Sequence, residues 1–431
     1  MTSNGFVGWC KTKFLNPRLP KELKLGEEAI ISLIIHAFFQ FGASMSGLFL
    51  NIFLWRLTED FAINATYNLI SFLVGPFTFA VGGFIAKRYD RMLVYRLGII
   101  LFALFYLLVI LSGEAVPQYY IIFAIINGIA GGFYWTGYLI LQYDVSTDQN
   151  RIRYLAINMI TFNSAGLLGP FIAGIIIQQM SGFKGYISIF IIAFIMFVAA
   201  AVISFRIKAN ISHHKAYYLK YMGLVMKKHK TYVLGLFIFL FLGCFQGIML
   251  FLPNIILFQA LGREDFVGYF TVLFSAIIVI TGFVISRKAE KDKTKKYILY
   301  ATTGVTLGAA LLLININLVT VVIFMAIHSI CNPLMLNSIT SYFYRIMGKL
   351  PLKGQLKIES VVAREFFING GRCIGITILI IFANDLTSLW LPIIIVAMAA
   401  MQFFILLCIP NSEASYEVKI SPSQVNHNHK A

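Results

Sequence analysis

The chain has 431 residues, of which 59% are hydrophobic and 12% are charged, and its mean hydropathy is +0.81. Soluble domains carry about 25% charged residues, so this composition excludes an ordinary soluble protein and predicts an integral membrane protein. A net charge of +17 could attract nucleic acid, but the positions of the basic residues account for it without a nucleic-acid partner.

Twelve apolar runs are long enough, at roughly 20 residues each, to cross a bilayer as helices. A long polar interruption, 206–231, follows the sixth run. We therefore expect an all-α membrane protein with two six-helix bundles, 29–205 and 232–409, a basic linker at 206–231, and tails at 1–28 and 410–431. The runs are 29–54, 62–86, 93–112, 119–142, 154–178, 186–205, 232–258, 266–286, 297–315, 318–342, 361–383 and 389–409.

The basic residues predict the orientation of these helices. If the first residue is inside, 31 of the 35 Lys and Arg residues fall in inner segments. Arg56, Lys184 and Arg263 fall outside, and Arg372 falls within a run. Because basic residues concentrate in cytoplasmic loops, we expect a multi-pass protein of the cell membrane with both termini cytoplasmic, next to anionic lipid. Residues 1–28 precede a run too long for a signal peptide, so we expect no cleavable signal.

The chain contains five cysteines, four of them in apolar runs and none at metal-ligand spacing. We therefore predict no disulfide, no metal site and no cofactor. No nucleophile–base pair or nucleotide-binding loop is visible either, so an enzyme is not expected.

The two halves of the chain resemble each other at equivalent places. Gly83–Arg88 after the second run matches Gly282–Lys288 after the eighth, and Arg153–Asn158 at the fifth matches Arg364–Asn369 at the eleventh. Together these matches favour duplication of a six-helix unit, which predicts two pseudo-symmetric bundles.

Twelve runs, a basic central linker and a glycine-led basic loop after run two resemble the major facilitator superfamily. The family loop reads G-x-x-x-D-R-x-G-R-K/R, and this chain has Gly83, Lys87, Arg88, Asp90 and Arg91 at the corresponding places. The resemblance implies a monomeric secondary transporter that works by alternating access, without a cofactor.

Lys87 stands where the family loop has an acidic residue that faces the eleventh helix. Glu365 lies at the start of that helix here, so we expect Lys87 to pair with Glu365. By the same resemblance, Arg88 would pair with Asp144 at the end of run four. The gating residues implied by the resemblance thus include Gly83, Lys87, Arg88, Arg91, Asp144 and Glu365.

Run five resembles the antiporter motif of the same family, with Ala at three of the Gly places and with Gly169 and Pro170 retained. Small residues allow close approach of helices, and Pro170 removes a backbone donor. The resemblance implies a gating or coupling role for Gly169 and Pro170 and favours antiport. The Arg that many family exporters carry in run four is replaced by Ala124, so the usual proton relay is not expected.

Polar residues recur along the four runs that line the cavity in this family, runs one, four, seven and ten. Polar side chains at membrane depth need partners or water, so these stripes predict a wet substrate cavity, although any single amide could instead bond between helices. The predicted lining residues are His36, Gln40, Asn51, Asn127, Tyr134, Tyr138, Gln246, Asn254, His328 and Asn332.

Arg372 completes the predicted cavity, because Glu365, Asn369 and Arg372 share one face of a helix. An ionised group facing lipid costs several kcal/mol, so this face should point toward protein or water. No acidic residue lies at mid-depth, which disfavours a purely cationic substrate. His36, His328 or Glu365 could carry a coupling proton, and Arg372 could bind an anionic group.

Four functions fit this pattern. The first is a proton-coupled exporter of a small amphipathic or anionic compound. A flippase for a lipid-linked precursor, an importer of a nutrient, and a non-transporting membrane partner protein are the alternatives.

Overall fold

A computed structural model describes residues 24–147, 149–180, 182–208, 217–288, 293–351, 356–383 and 385–409. All the long regular elements within these ranges are helices, which confirms the all-α prediction. The predicted C-terminal tail, most of the N-terminal tail and linker residues 209–216 lie outside the described residues.

The first half of the chain forms six long helices. Asp60 and Asp90 cap the second and third of them by accepting hydrogen bonds from backbone N–H groups of the first turn. The helices are α1 (Glu27–Thr58), α2 (Phe61–Arg88), α3 (Arg91–Ser112), α4 (Tyr120–Asp144), α5 (Arg151–Gln179) and α6 (Lys184–Ser204).

The second half begins with a short basic helix in the linker, α7 (Leu219–Lys228), which buries Met222 and Val225. The membrane helices that follow are α8 (Lys230–Met249), α9 (Leu252–Leu261), α10 (Glu264–Lys288), α11 (Thr294–Ala310), α12 (Leu318–Gly348), α13 (Lys357–Phe382), α14 (Trp390–Met401) and α15 (Phe404–Leu407).

Three of the predicted runs are not single continuous helices in the structure. The seventh breaks between α8 and α9, where Pro253 occupies the first turn of the new helix and cannot donate a backbone hydrogen bond. The ninth ends in a 3₁₀ turn at Leu311–Leu313, and the twelfth is interrupted between α14 and α15.

The described residues contain 11 apolar segments long enough to cross a membrane. One of them, Arg91–Gln142, contains both α3 and α4, joined by the 3₁₀ helix Gly113–Tyr119. If α3 and α4 are counted as separate crossings, the described residues contain the twelve predicted spans. Successive spans alternate in direction, so α7 marks one end of the assembly. We call that end the linker side and the opposite end the far side.

The two bundles are built from the same helix pairs. In each, the first helix packs against the fifth and sixth, and the fourth packs against the second and third. Between the bundles, α5 packs against α10 and α2 against α13, two contacts that the pseudo-symmetry exchanges. The structure thus confirms two pseudo-symmetric bundles.

Glycines bring α8 and α13 into backbone contact. A Cβ on Gly371 would lie 2.1 Å from the Leu240 carbonyl oxygen, and one on Gly375 would lie 2.0 Å from that of Cys244. On α8, a Cβ on Gly243 would lie 2.2 Å from the Ile368 oxygen. No larger residue fits this interface without moving the helices apart.

Gly371→Ala should therefore lower the free energy of unfolding by about 1–3 kcal/mol, because the added methyl group overpacks the interface. Thermal unfolding in detergent measures the loss. Gly282→Ala is the matched control, since a Cβ there meets nothing within 4 Å and alanine favours a helix. Equal melting temperatures for the two variants would contradict the close contact.

Candidate substrate site

Arg372 lies at the interface between the bundles. Its Nε and Nη2 donate to Gln246 Oε1 on α8 at 3.2 and 2.7 Å, and its Nη1 donates to Asn369 Oδ1 at 2.9 Å. The guanidinium also lies 5.0 Å from the ring centroid of Phe72 on α2, in the other bundle. These contacts give a membrane-embedded cation the polar and aromatic partners it needs away from lipid.

Hydrogen bonds of the Asn369 side-chain amide link Glu365 to Arg372. Asn369 donates to Glu365 Oε2 at 3.2 Å and accepts from Arg372, while Glu365 Oε1 accepts from Arg364 at 2.6 Å. Because Arg364 and Glu365 compensate each other, the described hydrogen bonds of the Arg372 guanidinium go to amide oxygens only.

The first bundle presents amides at the same depth. Cys373 Sγ lies 3.8 Å from the Leu69 oxygen, so Arg372 lies level with residues 69–72 of α2. Next to this level, Asn68 donates to Asn51 Oδ1 at 2.8 Å, and Asn127 approaches Ser71 Oγ at 3.4 Å. Asn51 and Asn127 remain partly exposed.

Two glycines mark open space beside these amides. A Cβ on Gly47 of α1 or on Gly131 of α4 would meet nothing within 4 Å. The candidate substrate site therefore consists of residues from both bundles: Arg372 and Gln246 from one, and Asn51 and Asn127 from the other.

His36 does not line this space. It is fully buried in the first bundle, with Nδ1 2.9 Å from Tyr134 Oη and Nε2 3.0 Å from Tyr138 Oη. Asn158 donates to the same Tyr138 hydroxyl at 2.5 Å. The expectation that His36 and Tyr134 line the cavity is wrong in this structure, because the ring between two hydroxyls closes a network inside the bundle.

The described contacts of the remaining predicted lining residues are with neighbours other than Arg372. Gln40 is nearly buried and donates to Ser44 Oγ at 3.2 Å, and Asn254 lies in the first turn of α9. His328 packs 5.8 Å from the Phe245 ring, and Asn332 is partly exposed beside Pro333. Further along α12, toward the linker side, a depression of about 540 Å³ is lined by Asn337, Thr340, Ser341, Tyr344 and Arg345.

Lys87 forms an ion pair across the bundles on the linker side, but its partner is Glu359 rather than Glu365. The predicted pair was wrong because α13 begins at Lys357, which places Glu359 in its first turn. Glu359 is fully buried and also accepts a hydrogen bond from the Tyr218 N–H at 2.9 Å. The linker thus takes part in this contact between α2 and α13.

The predicted pair of Arg88 and Asp144 is also wrong. Asp144 pairs with Arg91, at the start of α3, whereas the Arg88 guanidinium lies 5.6 Å from the Phe84 ring. Gly83 lies beside the linker, where a Cβ would be 3.1 Å from the Tyr217 hydroxyl.

Sequence reasoning missed a second inter-bundle ion pair, on the far side. Arg56 at the end of α1 donates to Glu264 Oε1 of α10 at 2.5 Å, and Tyr186 of α6 donates to the same oxygen at 2.9 Å. We call Arg56, Tyr186 and Glu264 the far-side cluster. Opposite charges at the outer ends of two runs were the available signal, but the sequence alone does not pair them.

The antiporter-like segment of α5 lies beside this cluster. A Cβ on Gly174 would lie 3.0 Å from the backbone carbonyl oxygen of Glu264, and a Cβ on Gly268 would lie 2.9 Å from that of Pro170. Gly169 faces α1 instead, where a Cβ would lie 2.9 Å from the Met45 nitrogen. Small residues therefore permit the far-side contact between α5 and α10.

Known proteins are similar to this chain in sequence. The sequence profile of the Major Facilitator Superfamily matches residues 32–350. The uncharacterized protein YqgE of Bacillus subtilis (strain 168) is 29% identical over 359 residues, which cover 82% of each chain. A Geobacillus stearothermophilus protein described as an uncharacterized protein in the sodM 3'region is 35% identical over 174 residues, covering 40% of this chain and 81% of that one.

Solved structures agree in fold. The nucleoside transporter NupG aligns with a TM-score of 0.65 at 16% identity, covering 88% of this chain and 98% of its own. A D-xylose-proton symporter aligns with a TM-score of 0.65 at 13% identity, covering 89% of this chain and 98% of its own.

Reversing the charge of Lys87 should destabilise the protein by about 3 kcal/mol, because Glu359 is left buried beside a like charge. Lys87→Glu with Glu359→Lys should recover much of the lost melting temperature in detergent. Lys87→Glu with Glu365→Lys is the matched control and should not. Recovery by the control alone would contradict the observed pairing.

Glu264→Gln should loosen the far-side contact, since one carboxylate oxygen holds both Arg56 and Tyr186. In a variant whose only cysteine is Cys373, an impermeant maleimide added on the far side should then label faster, because separation of α2 and α13 exposes this thiol. Glu114→Gln, at an exposed residue, is the control. An unchanged labelling rate for Glu264→Gln would show that the cluster does not hold the far side closed.

Proposed function

Because the chain belongs to the major facilitator superfamily, we propose that it is a secondary active transporter that works by alternating access and exports a small anionic or amphipathic compound, with a proton as the coupling ion. One observation carries this proposal: the guanidinium of Arg372, bound to amide oxygens of Gln246 and Asn369 between the two bundles. A partly buried cation whose hydrogen bonds go to amides favours an anionic ligand over a cationic one.

The charge of such a substrate supports export. The inside of a cell is negative, and moving one charge through 100 mV is worth about 2.3 kcal/mol, so the potential favours the exit of an anion. The Gly169–Pro170 segment, which resembles an antiporter motif and packs against α1 and α10, supports an exchange mechanism.

The proposed orientation places the linker side in the cytoplasm of a cell membrane, with both chain termini inside. The concentration of 31 of the 35 basic residues in segments on that side supports it. The far-side cluster and the Lys87–Glu359 pair would then stabilise closure at the outer and inner ends, respectively, in the working monomer.

The link from Glu365 through Asn369 to Arg372 favours a second candidate, a proton symporter that imports the anion. Protonation of Glu365 would remove a negative charge near Arg372 and strengthen anion binding, so that the two ligands would bind together. Proteoliposomes with an imposed pH gradient separate the candidates: antiport drives the anion toward the acidic side, and symport drives it toward the alkaline side.

Two further alternatives predict other results. A flippase for a lipid-linked precursor would change the lipid composition of cells that lack the protein. A non-transporting membrane partner would leave a deletion phenotype that does not depend on Arg372. Comparing metabolites and lipids inside and outside deletion and overexpressing cells distinguishes all four functions and identifies the substrate.

Arg372→Gln should reduce transport of that substrate by roughly 10- to 100-fold, because a hydrogen bond to a charged group contributes about 1.5–3 kcal/mol. Arg372→Lys keeps the charge and should retain part of the activity. Lys184→Gln, which removes an exposed positive charge from the start of α6, is the control and should transport normally. Normal transport by Arg372→Gln would refute the role of the guanidinium.

A further inference from the structure

The donors of Arg372 narrow the class of substrate. Its described contacts use the Nε–H, one N–H of Nη1 and one N–H of Nη2. A guanidinium carries five N–H donors, so each terminal nitrogen retains one for a ligand. Donors on a planar guanidinium suit the oxygens of a carboxylate.

The charge at this depth limits the ligand to one negative charge. Arg364 pairs with Glu365, and the next ion pair, Lys87 with Glu359, is also neutral as a whole. Arg372 therefore adds a single positive charge. A phosphate monoester or a pyrophosphate would bring further negative charge into a site of low dielectric, where an uncompensated charge is costly.

The guanidinium has an aromatic ring beside it as well as amides. The Phe72 ring of α2 lies 5.0 Å from it, measured to the ring centroid. The partly exposed amides of Asn51 and Asn127 lie across the interface at a similar depth. This combination suits a body that is largely apolar and carries at most a few polar groups.

We propose that the candidate site binds an amphipathic monocarboxylate, whose carboxylate accepts the two remaining N–H groups of Arg372 while its apolar body packs beside Phe72. The inference rests on the proposed transport function, because it names the substrate class of that site. It excludes polyphosphate and lipid-pyrophosphate ligands as well as organic cations.

Thermal unfolding of the purified full-length protein in detergent tests the proposal, because a ligand that binds the folded state raises the melting temperature. The probes are butyrate, octanoate and 4-phenylbutyrate, together with 4-phenylbutyramide, 4-phenylbutylamine, phenyl phosphate, inorganic phosphate and chloride. We expect octanoate and 4-phenylbutyrate to protect, and the neutral amide to need a roughly 10- to 100-fold higher concentration for the same shift.

Variants assign the effect to Arg372. Arg372→Gln should abolish the preference for acid over amide, Arg372→Lys should keep part of it, and Lys184→Gln should behave as wild type. The proposal is overturned if the amide, the amine or phenyl phosphate protects as well as the acid. Equal protection by chloride or inorganic phosphate, or no protection by any carboxylate, overturns it too.

The outcomes separate this inference from the function on which it rests. Protection by a carboxylate that depends on Arg372, without flux in proteoliposomes, would leave the ligand class standing and refute transport. Flux of a different compound that depends on Arg372, without protection by carboxylates, would leave transport standing and refute the ligand class.

Discussion

An ionised side chain inside a membrane must find its partners within the protein, and this requirement determines where the charges of the molecule lie. Arg372 finds amide partners on its own bundle and an aromatic ring on the other. Lys87 and Arg56 find carboxylates across the interface, on opposite sides of the membrane. The surface between the bundles is therefore both where charge is tolerated and where the bundles hold each other.

The two cross-bundle ion pairs described above differ in burial. Glu359 is fully buried and is also held by the linker backbone, whereas the side chain of Arg56 is 34% exposed. Charged pairs near solvent contribute little to stability, while removing one partner of a buried pair is costly. The linker-side contact should therefore be the stronger of the two, and the linker should move whenever that contact opens.

The twelve crossings, the two-bundle layout and the membrane class could be predicted from the sequence, because long apolar runs and their separation depend on local composition. The partner of Lys87 could not be predicted, because α13 starts four residues earlier than expected and this places Glu359 at the interface rather than in a loop.

The rotation of a helix about its axis also decides which side chains are buried. Periodicity placed His36 and Asn51 on one stripe, yet packing buries His36 against α4 and leaves Asn51 partly exposed. Contacts such as that of Arg56 with Glu264 join residues 208 positions apart and depend on the assembled bundles.

The glycine contact between α8 and α13 has a consequence for the proposed transport cycle. Backbones this close cannot slide or tilt independently, so Gln246 and Arg372 travel as one rigid unit whenever the second bundle rocks. The hydrogen-bond geometry of the guanidinium would then be the same whether the proposed site opens to the inside or to the outside of the membrane. In the proposed mechanism, any difference in substrate affinity between the inward-open and outward-open states must then come from the residues that the first bundle brings up to Arg372.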